Sequence, residues 1–246
     1  MRYYIDDQIF RQFPNFRRVV VLAENIDNHG EHPELAAILR AAEEKARGDE
    51  LAAFPDLPRL TIWLEAFRAL GINPKKHPPS VINMIKRIRS GKNLPYINSL
   101  VTIFNCLSLN NLLSCGGDDL AVVKGDLSLT IADGSENYSP LGQPEVREHP
   151  APGEVIYMDT ATKEIFCRAW CWKNGDVSKL SENTRRTAIN IDGMLPAFSL
   201  DQLEDLGHQA AALLERFTGA KTKIEVMSPE KSSFEIAGRP GRPGRP

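Results

Sequence analysis

The chain has 246 residues, 42% of them hydrophobic and 25% charged, with 17 Gly, 17 Pro and a formal net charge of -2. That length allows one large domain or two small ones, and the composition excludes collagen-like, mucin-like and wholly disordered chains. The near-neutral balance also excludes nucleic-acid binding by bulk electrostatics and leaves only a local basic face for that purpose.

The opening MRYYIDDQIF has neither the basic start nor the apolar run of a signal peptide. No stretch approaches the roughly 18 uninterrupted apolar residues of a membrane span, so a soluble, cytoplasmic protein without membrane contact is expected. The first structural signal is the β-branched run from Phe16, FRRVVVLAENID, which predicts a buried strand. Three helices follow. Pro33 suits the first turn of ELAAILRAAEEKARG, with Gly48 as its stop, and LTIWLEAFRALG repeats the pattern up to Gly71. The third, from Pro79 to Ser90, aligns Val81, Ile82, Ile85 and Ile88 as one apolar stripe, with Lys86, Arg87 and Arg89 largely off it.

Beyond Leu94, the positions of Ile97, Leu100, Val101, Phe104 and Leu107 have helical spacing. Period-two alternation then predicts strands at Leu127 to Ile131, Val155 to Met158, Ile165 to Trp172 and Ala188 to Ile191. Ser199 and Gln202 have the spacing of a capping box, and Leu203, Leu206, Ala210, Leu213, Leu214 and Phe217 supply the buried face of the helix they open. A short strand, TKIEV, follows Gly219. Helices, then strands, then a helix, without βαβ alternation, predict an α+β fold: N-terminal helices plus a largely antiparallel or mixed sheet. One domain is expected over residues 1–226, with a disordered tail at 227–246. The tail ends in GRPGRPGRP, which reads as a polyproline-like extension. Its rival, an arginine hook for the DNA minor groove, lacks the flanking basic residues, and DNA is not an expected partner.

Four cysteines, at 106, 115, 167 and 171, are too few and too uneven for a disulfide framework. Cys167 and Cys171 lie in a strand-like context without a nearby histidine and read as core thiols, so neither a metal nor a cofactor is expected. Alternation in CRAWCWK places Arg168, Trp170 and Trp172 on one face. Two readings of that face stand side by side: a stacking surface for a planar ligand, or a face covered by another element with Arg168 in an ion pair. No nucleophile elbow, phosphate loop, dinucleotide fingerprint or HExxH is present, and none of the five histidines announces a general base by spacing.

The words PPSVINMIKRIRSGKNLPYINSLVTIFN, GGDDLAVVKGDLSL, GEVIYMD, CRAWCWKNGD and SENTRRTAINID occur in that order between Pro79 and Asp192. Together they resemble the B3/B4 editing module of the phenylalanyl-tRNA synthetase beta subunit in a free-standing form. The resemblance implies that fold, a pocket for an aromatic amino-acid group, and hydrolysis of tyrosine wrongly attached to the phenylalanine tRNA. No segment resembles the aminoacylation core, so a complete ligase is not expected. Carried onto this chain, the resemblance implies catalytic roles for Gly175, matching the editing glycine, and for Asp192, the acid nearest the editing glutamate. It implies substrate contacts at Asn98, Asn105, Arg168, Trp170, Trp172 and Thr184. The chain departs from the pattern at Cys115-Gly116-Gly117-Asp118-Asp119, where the editing histidine is missing. It departs again at Val101-Thr102, in place of Val-Asp, and at Trp170-Cys171-Trp172-Lys173, in place of Trp-Asn-Trp-Arg. A tRNA partner requires a basic track, for which Lys75, Lys76, Lys86, Arg87, Arg89 and Lys92 are the candidates; the other reading of these residues is a solvated helix face. A non-catalytic module binding a small aromatic ligand or a protein partner remains the alternative function.

Overall fold

The sequence patterns resolve into two sheets and six α-helices in the computed structural model, which describes residues 1–237. The Gly-Arg-Pro triplets lie outside the described residues. The chain opens with β1 (Arg2–Ile5), α1 (Asp7–Gln12) and β2 (Phe16–Glu24), then passes through α2 (Pro33–Arg47), α3 (Pro58–Ala69), α4 (Ser80–Arg89) and α5 (Ser99–Asn111). Strands β3 (Cys115–Asp119), β4 (Leu127–Ile131), β5 (Val155–Asp159), β6 (Ile165–Arg168), β7 (Lys173–Asn174) and β8 (Arg186–Met194) follow. Helix α6 (Leu200–Thr218), β9 (Lys221–Met227) and β10 (Ser233–Glu235) close the described chain.

One sheet has the order β3-β8-β2-β9 and is antiparallel throughout. The other, β10-β1-β4-β5-β6-β7, is mixed, because β1 pairs with β4 in parallel. The continuous apolar run of β2 has a direct cause: both of its faces are covered. Val19, Val21 and Ala23 pack with α5 and α6, whereas Phe16, Val20 and Leu22 join Tyr3, Leu129, Val155 and Tyr157 of the mixed sheet in a second core. Helix α6 begins at the expected capping box and ends at Gly219, whose φ of 63° suits a left-handed cap. It packs so closely on β2 that a methyl group at Gly207 would stand 2.7 Å from Val19 Cγ1.

Three expectations need correction. Strands β1, β3 and β10 and helix α1 carry too few periodic apolar positions to be read from the sequence; β3 is Cys-Gly-Gly-Asp-Asp. The tail expected from residue 227 is ordered to 237: β10 pairs with β1, Phe234 stacks on Tyr3 at 5.1 Å, and Ile236 is buried. The strand expected to run to Trp172 stops at Arg168, because Ala169 and Trp170 adopt left-handed φ values of 44° and 62°. Period-two alternation therefore fails there, and Arg168, Trp170 and Trp172 do not share a face. Trp170 turns into the core, in edge-to-face contact with Phe13, Phe16 and Trp63 at 4.9–5.2 Å between ring centroids.

The indole of Trp170 is 1% exposed and joins the first helices to both sheets. Its replacement in Trp170→Ala should lower the unfolding free energy by about 3–5 kcal/mol, read from the urea midpoint at unchanged slope. A loss below about 1 kcal/mol would mean that the ring is not a core element.

Candidate functional site

A cleft opens along β3, where two glycines leave the sheet surface without side chains. It has two adjoining compartments with volumes of about 400 and 370 Å³, and the shared wall includes Asn105, Cys115, Gly116, Gly117, Asp118 and Asn174. Gly117 is confined by packing as well: a methyl group there would stand 3.0 Å from Thr187 Oγ1 and 3.1 Å from the Phe104 ring. Because β3 is an edge strand, alternate backbone groups face away from β8. The N–H of Cys115 donates to Ser108 Oγ at 3.2 Å and that of Asp119 to the Ser178 carbonyl at 3.0 Å. Alternation turns the N–H of Gly117 the same way, away from β8 and between those two.

The floor of the first compartment is a buried polar network spanning the two sheets. Arg18 and Asp192 are cross-strand partners on β2 and β8. Arg18 donates Nε–H to Oδ1 of Asp192 at 2.5 Å and Nη2–H to Oδ2 at 2.7 Å. Its Nη1–H reaches the Tyr3 hydroxyl at 2.7 Å, which in turn donates to Asn190 Oδ1 at 2.7 Å. Burial pushes the Tyr3 hydroxyl up to about 12 despite the opposing charge of Arg18. Beside it the Tyr157 hydroxyl, also raised by burial, makes no hydrogen bond of ordinary geometry and lines the compartment. Asp192 thus lines the first compartment, with its carboxylate engaged by Arg18 on both oxygens.

The walls differ in character. Ser80 and Met84 of α4 and the ring of Trp172 border the first compartment. The backbone bond from Ser80 N–H to the Cys171 carbonyl, 3.0 Å, ties the start of α4 to the turn that carries Trp172. The second compartment is bordered by Val101, Phe104 and Leu180, with Ile97 and Leu141, both more than half exposed, at its rim. Cys115, Cys167 and Cys171 line the first compartment as free thiols. Burial raises all three, Cys171 to about 12 and the other two well above the ordinary range, so they are neutral at physiological pH and poor nucleophiles.

Asp118, which the sequence reading did not single out, lies on the seam between the compartments and is 5% exposed. Its Oδ1 accepts from Ser178 Oγ at 2.5 Å. Burial pushes its carboxyl up to about 7 against the opposing influence of Ser178 and Arg18. No sequence pattern marks it, since a single Asp in a Gly-rich segment has no periodic context.

Of the other predicted residues, Asn105 lines both compartments, Gly175 lines the second, and Trp170 and Trp172 border the first. Gly175 also has a packing role, because a methyl group there would stand 2.5 Å from the Ile165 carbonyl oxygen. Three residues fall outside the cleft. Asn98 caps α5, accepting from Val101 N–H at 3.0 Å, and Thr184 is fully buried with its hydroxyl on Asp119 Oδ2 at 2.8 Å. Arg168 holds Glu154 through two bonds of 2.9 and 2.7 Å and reaches Glu148 at 2.9 Å, so the ion-pair reading applies to it and the stacking reading does not. The basic candidates Lys75, Lys76, Lys86, Arg87, Arg89 and Lys92 are all exposed. Arg87 bonds the Asn93 carbonyl, and Arg89 bonds the carbonyls of Ala46, Arg47 and Gly48 that end α2. Among the described residues no set of three His, Cys, Asp or Glu side chains is placed to hold a metal ion, and no helix is long and apolar enough to cross a membrane.

A family model described as the B3/4 domain matches residues 62–220. No curated protein matches the chain. Among solved structures, the chain is similar to an N-terminal fragment of the phenylalanyl-tRNA synthetase beta-subunit from Pyrococcus horikoshii, at 11% identity and a TM-score of 0.44. That alignment covers 89% of this chain and 49% of the fragment, so the chain spans about half of the fragment's length.

Replacing Asp192 by Ala would leave the Arg18 charge buried without its partner. Asp192→Ala should therefore lower stability by about 3–5 kcal/mol in chemical denaturation. A variant as stable as the wild type would show that water or another group takes over the carboxylate's role.

Proposed function

The chain belongs to the B3/4 domain family, and on that footing we propose that its cleft receives the aromatic aminoacyl end of a mischarged tRNA, tyrosyl on the phenylalanine tRNA, and hydrolyses the ester. The observation that carries this reading is the pair of compartments meeting along β3. Two joined cavities suit a ligand with two bulky parts, an amino-acid side chain and a ribose, with the ester between them at the glycine strand. A deacylation there needs donors for the developing oxyanion and a positioned water. The outward N–H of Gly117 is a fixed backbone donor of the required kind, and the cleft supplies Asn105 and Asn174 as further polar contacts. Trp172 and the Tyr157 ring provide aromatic surface for the side chain. The neutral thiols speak against a covalent cysteine route, and the missing histidine against a histidine base.

A specific observation favours a second reading, a non-catalytic module for a small aromatic ligand or a protein partner. Asp192, the acid nearest the editing glutamate, has both carboxylate oxygens engaged by Arg18.

Purified protein incubated with tyrosyl- and phenylalanyl-charged phenylalanine tRNA separates the two. The proposal predicts faster release of tyrosine than of phenylalanine. Trp172→Ala should lower kcat/KM about two- to tenfold, the worth of one aromatic contact. Saturable binding of either charged tRNA without release above the spontaneous rate would establish the binding module instead.

A further inference from the structure

The charges facing the cleft leave one carboxyl without a cation. Asp192 is matched by Arg18, and Asp176, at the second compartment, is matched by Lys179 at 3.1 Å. Lys173 borders the first compartment over the Trp172 ring, 5.8 Å from its centroid. Asp118 forms no ion pair among the described residues; its side-chain bond is to the neutral Ser178 hydroxyl. The groups around it are Arg18 from β2, already committed to Asp192, then Asp119 on its own strand, the Tyr157 hydroxyl of β5 and the neutral Cys167 thiol of β6. A carboxylate so placed is largely desolvated and lacks a counter-charge, and the elevation of its pKa is the expected result. It also stands where both compartments meet, within reach of anything that occupies either.

We propose that Asp118 is a binding residue for the ammonium group of a ligand: the cleft selects small molecules or aminoacyl groups that carry an uncharged aromatic body and a primary amine, and the amine seats on the free carboxylate oxygen at the seam. The inference deepens the aromatic aminoacyl reading and rests on it only for the aromatic part. An ammonium arriving at Asp118 supplies the missing counter-charge and a charge-assisted hydrogen bond, a gain that a hydroxyl in the same position cannot match. The carboxyl must be ionised to give that gain, so the selectivity has a pH dependence of known sign. It strengthens as the pH rises through about 7, where Asp118 loses its proton, and it persists until the amine itself titrates, near 10 for an alkylamine such as lysine and near 8 for the α-amino group of an aminoacyl ligand.

The test compares 2-phenylethylamine with 2-phenylethanol, which have the same ring and chain, by calorimetric titration of the whole protein at pH 8.5 and pH 5.5. The amine should bind about tenfold tighter than the alcohol at pH 8.5 and lose most of that advantage at pH 5.5. Asp118→Asn, which keeps an acceptor for Ser178, should abolish the preference at pH 8.5 and leave the alcohol's affinity unchanged. If that variant fails to fold, the wild-type pH series decides. Equal binding of amine and alcohol at pH 8.5, or a preference that survives in Asp118→Asn, would overturn the ammonium site while leaving the aromatic reading in place. n-Butylamine binding as tightly as 2-phenylethylamine would do the reverse, upholding the carboxylate site against the aromatic one. Failure of all three probes to bind would contradict both.

Discussion

A guanidinium buried between two sheets is the constraint on which the architecture turns. Removing an arginine from water costs several kcal/mol unless its charge and its N–H groups are met inside the protein. Arg18 is central to the antiparallel sheet, and the register of β2 against β8 places Asp192 directly across from it. That match neutralises the charge. The remaining bond reaches the Tyr3 hydroxyl on the other sheet, which returns to β8 through Asn190. Apolar contacts between the sheets are non-directional and tolerate sliding, whereas this chain of bonds fixes one relative position. The same network is the floor of the first compartment, so the interaction that locks the sheets together also shapes the cavity.

The rest of the site follows from where side chains are absent or turned aside. Gly116 and Gly117 open the edge of β3, and the left-handed turn at Ala169 and Trp170 sends one indole into the core and leaves Trp172 at the cleft. Ser80 at the start of α4 is tied to that turn, which brings Met84 over the opening. The result is a cavity with aromatic and apolar walls, a paired charge in its floor and an unpaired carboxyl at its seam. Such walls offer shape, apolar surface and fixed donors and, among the described residues, no strong nucleophile.

Elements whose burial repeats at helical or strand period were legible in the sequence, because there a single physical cause sets the pattern: β2, covered on both faces, and α6, with its capping box, are the clearest. The α+β class followed from their order. What stayed hidden depends on long-range partners. Arg18 reads as one charge in a basic-apolar run, and only the pairing with a residue 174 positions away makes it central. The failure at Arg168, Trp170 and Trp172 has a local cause: two positive-φ residues break an alternation that composition alone supports. Asn98 and Thr184 lie close to the site in sequence pattern yet serve a helix cap and a buried turn. Asp118 acquires its character from burial, which no local pattern encodes.

The dependence on the buried pair can be measured directly by a double-mutant cycle on folding stability with Arg18→Met, Asp192→Ala and the combined variant. Each single change strands one buried charge, whereas the combined change removes both. The account predicts a double variant at least as stable as Asp192→Ala alone, with the penalties falling short of additivity by about 3 kcal/mol. Penalties that simply add would contradict it, because they would show that Arg18 and Asp192 contribute to the fold independently of one another.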